Sequence, residues 1–381
     1  MRGSIEVDLA ALRHNWATLD KAASGRCGAV VKANAYGLGV KEVAPALYLE
    51  GCRDFFVANC EEGEALRLIL SDALPHSSDA RIIVFGGAES FELELFERYR
   101  LTPVVTTIRM IEDILHYRRK NTFAFTDLFL HVDTGMNRYG LSLAELEWAV
   151  KSKTKVLNVL RPQCWMSHFS SAEDPHGAAT ITQLRNIERV KQLLADAACV
   201  TQESSFANSQ SLYSLPEYHG DLARPGIALY GGKVKGFSGL VQKDVVKVLA
   251  PLKQIRQVQL GESIGYGADY VATKSMYVGI VAMGYADGIP RSPAADGCVC
   301  FYHEGRRLPV IGRVSMDACA VDLTELQLGS VEQAQGFQGG QVSLFETVEQ
   351  LAEIARVFST IDYEILTRLS PRFERRVINV V

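Results

Sequence analysis

At 381 residues, with 48% hydrophobic and 22% charged side chains, the chain exceeds one ordinary domain and has ample apolar material for a buried core. A formal net charge of −4 argues against an electrostatic grip on nucleic acid or an anionic membrane, and the longest apolar run, Tyr277–Met283, is far too short to span a bilayer. Eight cysteines without a Cys-x-x-Cys pair read as reduced thiols, not as a disulfide framework or a zinc site. The chain opens on a strand-like run, Ser4–Asp8, followed at once by an amphipathic helix with Asp8 as its N-cap. This start holds no apolar signal core, so a cytoplasmic protein is expected. From Gly28 to Gly232, short apolar or β-branched runs alternate with helical patterns. The strand candidates are Ala29–Lys32, Phe55–Ala58, Ile82–Phe85, Pro103–Thr106, Leu128–Val132, Gln163–Ser167, Ser204–Ala207 and Ala223–Leu229. Eight strands alternating with helices over about 200 residues predict a parallel (β/α)8 TIM-type barrel in preference to a doubly wound sheet. Beyond Gly232, strands at Val248–Leu260, Tyr277–Met283, Val299–His303, Leu308–Val314, Ala318–Leu323 and Gln341–Leu344 are spaced by turns, with one clear helix at Val348–Phe358. The expected division is therefore an α/β barrel over 8–234 and a mostly β domain over 235–381, whose sheet the strand within 1–7 is expected to join. Arg368, Arg372, Arg375 and Arg376 near the C-terminus read as a solvated, ion-paired surface.

Barrels carry their chemistry on the C-terminal ends of the strands. Lys32 closes the first strand's apolar run and is followed by the loop Asn34-Ala35-Tyr36-Gly37. A lysine drawn partly out of water there is a ready former of covalent adducts with carbonyl compounds. The fifth strand leads into His131, Asp133 and Arg138, the sixth into His168, the seventh into Asn208 and Ser209, and the eighth runs through Arg224, Gly226 and Ile227. Together these residues place an aromatic-stacking group, hydroxyl and amide donors, two arginines and a glycine-opened backbone at one barrel mouth. That is an anion site beside a site for a flat ring, with Gly226-Ile227 able to offer backbone N–H groups to a phosphate.

The run Val31-Lys32-Ala33-Asn34-Ala35-Tyr36-Gly37 strongly resembles the cofactor-attachment signature of alanine racemases. The resemblance spans nearly the whole chain, through Asp133-Thr134-Gly135-Met136, Ser167-His168-Phe169, Arg224-Pro225-Gly226-Ile227, Gly265-Tyr266-Gly267, Gly284-Tyr285-Ala286-Asp287-Gly288 and Gly312-Arg313-Val314-Ser315-Met316-Asp317. It implies interconversion of L- and D-alanine by a homodimer with shared sites, using pyridoxal phosphate (PLP) and supplying D-alanine to peptidoglycan. Lys32 would hold PLP and act as the base on one face. Tyr266, from the partner subunit, would be the base on the other, since racemisation needs proton-transfer groups on both faces of the reacting carbon. Arg224 would face the pyridine nitrogen, and its permanent charge would keep that nitrogen unprotonated. Tyr36, Ser209, Gly226, Ile227 and Tyr363 match the family's phosphate contacts, and His168 the residue packed on the ring. Asn208 would also lie beside the cofactor, while Arg138 and the Met316 N–H match the contacts to the substrate carboxylate. Glu173, Tyr285, Arg291, Arg313 and Ile361 align with the access corridor. Two positions depart from many relatives: Leu38 replaces a histidine, and His131 replaces a lysine that becomes carbamylated. Without that carbamate Arg138 lacks an anionic partner, and a small bound anion such as chloride is expected to supply the charge. Racemases of serine or of broader specificity, PLP-dependent decarboxylases and PLP-carrying regulatory barrels are the competing readings. Gly265-Tyr266-Gly267 argues against the decarboxylase, and the C-terminal β domain against the regulatory barrel.

Overall fold

The computed structural model describes residues 3–121, 127–151, 156–196, 203–234, 242–291 and 298–380. The expected domain boundary at 234/235 abuts residues 235–241, and both that stretch and Cys199 lie outside the described residues.

The first barrel strand is Arg26–Cys27 continuing as Ala29–Val30. Asp54–Val57, Arg81–Val84, Leu101–Val105, Phe129–His131, Cys164–Met166 and Glu203–Ser205 follow it in parallel, each hydrogen-bonded to the one before. Phe55, Phe56, Val57, Ile82, Ile83 and Val84 are all fully buried, as strands covered on both faces require. Leu222–Ala223 closes the ring by pairing in parallel with Arg26–Cys27, and Arg224 N–H reaches Ala207 O at 2.8 Å from its other side. The eighth strand is thus shorter than the expected Ala223–Leu229. Pro225 has no N–H to give the ladder, Gly226 turns the chain, and Ile227–Tyr230 is a 3-10 helix.

In the second domain the strand Val246–Val258 plays two parts. Its first half pairs antiparallel with Gln341–Phe345 and with Ser4–Asp8, Ile5 opposite Val248. Past an irregularity between Leu252 and Gln254, its second half pairs with Met276–Val281. Cys319–Asp322, Arg306–Ile311 and Cys300–His303 complete a closed ring of antiparallel strands, and Glu374–Ile378 adds in parallel to Ser4–Asp8. The start of the chain therefore lies in the sheet of the second domain and feeds directly into the first helix of the barrel. Asp8 caps that helix, Leu9–Ala22, by accepting Ala11 N–H at 2.8 Å, and accepts Asn379 Nδ2 at 2.7 Å with its other oxygen.

Two local findings depart from the sequence pattern. Strand one ends at Val30, before Lys32, and Ala33, Asn34, Ala35 and Tyr36 then run in the left-handed region with φ of 53°, 54°, 53° and 56°. Each such residue costs about 1–2 kcal/mol for an L-amino acid, so the turn depends on its surroundings. Arg375 is part of those surroundings and is no solvated ion pair. It donates to Gly37 O at 2.9 Å, where the left-handed turn ends, and to the carbonyls of Phe373, Ser370 and Leu369. Its neighbours behave as expected on a surface, Arg368 pairing with Glu364 and Arg372 with Asp287 and Asp317. Arg375→Met keeps the apolar stem and removes those bonds, each charged bond being worth about 1.5–3 kcal/mol. We expect a lower thermal midpoint and, by hydrogen exchange, faster opening of the amides of residues 33–40; unchanged protection there would show that the link to Gly37 carries no load.

Candidate active site

A cavity of about 690 Å³ opens at the C-terminal ends of the barrel strands. Lys32, Tyr36, His131, Arg138, His168, Asn208, Ser209, Arg224, Gly226 and Ile227 line it from the barrel. Ile361 and Tyr363 line it from the second domain, at the start of the helix Asp362–Thr367.

At the floor, Arg224 is buried and held rigidly. It donates from Nη1 to Ser205 Oγ at 2.5 Å and from Nη2 to Ser167 O at 2.7 Å, and Ser205 in turn donates to Leu222 O. Burial pulls its pKa down to about 10, which leaves it a cation at neutral pH. Its Nε is buried with no hydrogen-bond partner, so one donor of a fixed fork remains for an acceptor within the cavity. His168 Nδ1 lies 3.5 Å from Arg224 Nη2. Burial, then the charges of Arg224 and Arg138, drive the His168 pKa well below its ordinary value, so the imidazole is neutral. His131 is likewise pushed down to about 4 by burial first and by Arg224 next.

Lys32 is half-buried, with Nζ 5.7 Å from the centre of the Phe85 ring. Burial and the nearby Arg138 lower its pKa, which raises the fraction of free amine available as a nucleophile. On the same turn, the buried Tyr36 packs against the rings of Tyr230 at 4.8 Å and Tyr363 at 5.9 Å. A Cβ added to Gly226 would lie 2.2 Å from Tyr36 Oη, so only glycine lets backbone and phenol come together here. Ser209 Oγ accepts the N–H groups of Gly226 at 2.9 Å and of Ala228 at 3.3 Å. The Ser209 hydroxyl, the Tyr36 phenol and the glycine-opened turn at Gly226 thus meet at one end of the cavity, with the Gly226 and Ala228 N–H groups orienting Ser209. Asn208 contributes to the wall while its Oδ1 caps the next turn through Gln210 and Ser211 N–H. Arg138 is exposed, and no carboxylate meets its guanidinium among the described residues. Asp133 does not serve it: both its oxygens are engaged by Gly135, Met136 and Asn137 N–H, shaping the loop that carries Arg138.

The remaining predicted residues lie outside this cavity. Tyr266 is 65% exposed and Met316 53%, beside Tyr285 and Arg313 on one face of the second domain. Tyr285 N–H bonds Ser315 O, Ala286 N–H bonds Met316 O, and Arg313 pairs with Asp269 just past Tyr266. Glu173 and Arg291 are exposed as well. Phe85 lies under Lys32 and was not singled out from the sequence. Its place at the end of a barrel strand, just before Gly86-Gly87, was the available signal.

A family model described as the alanine racemase N-terminal domain matches residues 7–234, and one described as the C-terminal domain matches 245–377. A catabolic alanine racemase of Agrobacterium fabrum is 36% identical over 377 residues, covering 99% of this chain and 92% of that one. The alanine racemase of Brucella suis is 36% identical over 392 aligned positions, with 99% and 94% covered. The chain belongs to the alanine racemase family. Among solved structures, alanine racemase from Bartonella henselae with covalently bound pyridoxal phosphate superposes with a TM-score of 0.86 at 33% identity, covering 99% of this chain and all of that one. The alanine racemase from Streptomyces coelicolor superposes with a TM-score of 0.85 at 29% identity, covering 99% and 98%. As a member of the alanine racemase family, this chain is an amino-acid isomerase whose cofactor is pyridoxal phosphate. The cavity fits that group: the Ser209 and Tyr36 hydroxyls beside the glycine-opened turn suit its phosphate, the unpartnered Nε of Arg224 suits a ring nitrogen, and the amine of Lys32 suits its aldehyde.

The displaced histidine pKa has a consequence for stability. Unfolded, His131 takes up a proton near pH 6.5; folded, only near 4, so the unfolded state binds more protons in between. Its contribution is therefore present above pH 6.5 and lost as the pH falls toward 4, by about 3 kcal/mol. His131→Asn is expected to flatten the acid side of the melting-temperature profile relative to wild type; parallel profiles would show that His131 titrates normally.

Proposed function

We propose that this chain interconverts L- and D-alanine at a site shared between two copies, with Lys32 of one and Tyr266 of the other on opposite faces of the substrate. The observation that carries the reading is the division of the site: one chain lines a complete cofactor cavity, yet presents Tyr266 and Met316 on a separate, exposed face. An exposed tyrosine and methionine grouped with Tyr285 are what a second subunit covers in a two-fold assembly. Tyr36, Ser209, Gly226, Ile227 and Tyr363 would hold the phosphate, His168 and Asn208 would lie beside the ring, and Arg224 would offer its Nε–H to the ring nitrogen. Bound pyridoxal phosphate draws electrons from the α-carbon of the amino acid and so acidifies its hydrogen. Lys32, its pKa already lowered, removes or returns that proton on one face, and the Tyr266 phenol does so on the other. Arg138 and the Met316 N–H hold the substrate carboxylate, and Glu173, Tyr285, Arg291, Arg313 and Ile361 form the way in. A small anion such as chloride lies between the neutral His131 and Arg138. The domains divide at 8–234 and 235–381. No helix among the described residues is long and apolar enough to cross a membrane, which agrees with a cytoplasmic enzyme supplying D-alanine for peptidoglycan.

Mixing Lys32→Ala chains, inactive alone, with inactive Tyr266→Phe chains is expected to restore about a quarter of wild-type activity on alanine, through heterodimers with one intact site. No recovery after verified subunit exchange would place both bases within one chain. Racemisation is also expected to depend on chloride and not on bicarbonate; full activity in chloride-free sulfate buffer would remove the anion from His131 and Arg138.

A further inference from the structure

Lys32 and Tyr36 sit at the two ends of the left-handed turn, which is therefore the one piece of backbone that positions both the amine and the phosphate-facing phenol. Within the turn the bonds are local: Ala35 N–H to Val31 O at 2.9 Å, Gly37 N–H to Ala33 O at 2.8 Å, Gly39 N–H to Asn34 O at 3.0 Å. The far end is fixed by Asn34 Oδ1, which accepts Val40 N–H at 2.9 Å, and by Arg375 on Gly37 O. The near end, the N–H of Ala33 directly after Lys32, is taken by a carboxylate. Glu62 Oε1 accepts it at 2.7 Å, while Glu62 Oε2 accepts Ala58 N–H at 2.7 Å, where strand two ends. Glu62 is itself fixed in the first turn of the helix Cys60–Ala73, where Asn59 Oδ1 accepts its N–H at 3.0 Å. One ionised group thus ties the mouth ends of strands one and two together through two short, charge-assisted bonds. Its charge also favours the ammonium form of Lys32, against the effects of burial and Arg138.

We propose that Glu62 is a positioning residue for the cofactor: it holds the left-handed turn at the angle that aims Lys32 and Tyr36 into one cavity. This rests on the reading of Lys32 as the residue that binds pyridoxal phosphate. Glu62→Gln keeps the size but turns an amide donor toward one of the two N–H groups, so one bond is lost. In full-length enzyme, we expect at least ten-fold weaker affinity for pyridoxal phosphate and a reduced visible absorbance of the lysine-bound cofactor, with the unfolding midpoint little changed. Adding Ala35→Gly, which relieves the left-handed conformation, is expected to restore affinity at least three-fold. Affinity within two-fold of wild type in folded E62Q, or a loss that Ala35→Gly leaves untouched, overturns the proposal. Should E62Q fail to fold, Glu62→Asp, too short to reach both N–H groups, takes its place with the same expected and overturning results. Borohydride trapping of wild type with peptide mapping keeps the two readings apart. A label on another lysine ends the reading of Lys32, whereas a label on Lys32 with unaltered E62Q affinity ends only the role of Glu62.

Discussion

Ala33, Asn34, Ala35 and Tyr36 occupy a backbone conformation that L-amino acids resist, and the geometry of the cavity depends on their staying there. No residue in that run is glycine, so the chain itself offers no relief until Gly37, at φ 84°. Contacts from three directions hold it. Glu62 takes its first N–H, Arg375 takes its last carbonyl, and the helix Asp362–Thr367 lies against Gly37, with Leu366 O 2.7 Å from where a Cβ would stand. Two of the three come from the C-terminal part of the chain. The barrel therefore does not shape this loop alone; the β domain is needed to finish it. The same helix supplies Tyr363, so the domain that braces the lysine turn also lines the cavity beside Tyr36.

Charge at the mouth follows one rule throughout. Lys32, Arg138 and Arg224 bring positive potential, and the two histidines among them are kept neutral by burial and by those same cations. The acidic residue closest in sequence to Arg138, Asp133, is turned inward onto its own loop. The wall carries three cationic side chains and the hydroxyls of Tyr36, Ser209 and Tyr363, which suits a phosphate, a carboxylate and an unprotonated ring nitrogen together. A cationic histidine here would add to the repulsion among these cations, which at His131 outweighs the opposing effect of Asp133.

The second face, with Tyr266, Met316 and Tyr285, is built by a different device. Gly284 lies so close to the backbone of Ser315 and Met316 that a Cβ would come within 2.6 Å of three of its atoms, which sets the two loops side by side. Arg372 bridges Asp287 and Asp317 behind them, fixing both loops to the segment that leads into the last strand. The face is preformed within one chain, although it lies apart from that chain's own cavity.

Repeating local pattern was enough for the alternation of strand and helix, the eight-strand count and the capping role of Asp8, because periodicity and capping act over a few residues. That Lys32, Tyr36, His168, Ser209 and Arg224 line one cavity was legible because each lies at a strand end or in the loop that follows one. The eighth strand was read too long since apolar residues continue past Pro225-Gly226, where the missing N–H ends the ladder. Phe85 lies at a strand end as well, but an apolar ring carries no chemistry to single it out, and Glu62 lies inside a helix, not at a strand end. The left-handed turn was settled only in three dimensions. Its two anchors lie 29 residues from Ala33 and 338 residues from Gly37, distances at which no local pattern carries a hydrogen bond. Likewise the separation of Tyr266 from Lys32 was decided by how the closed β ring sits on the barrel, since sequence order says which residues exist and only chain closure says which of them meet.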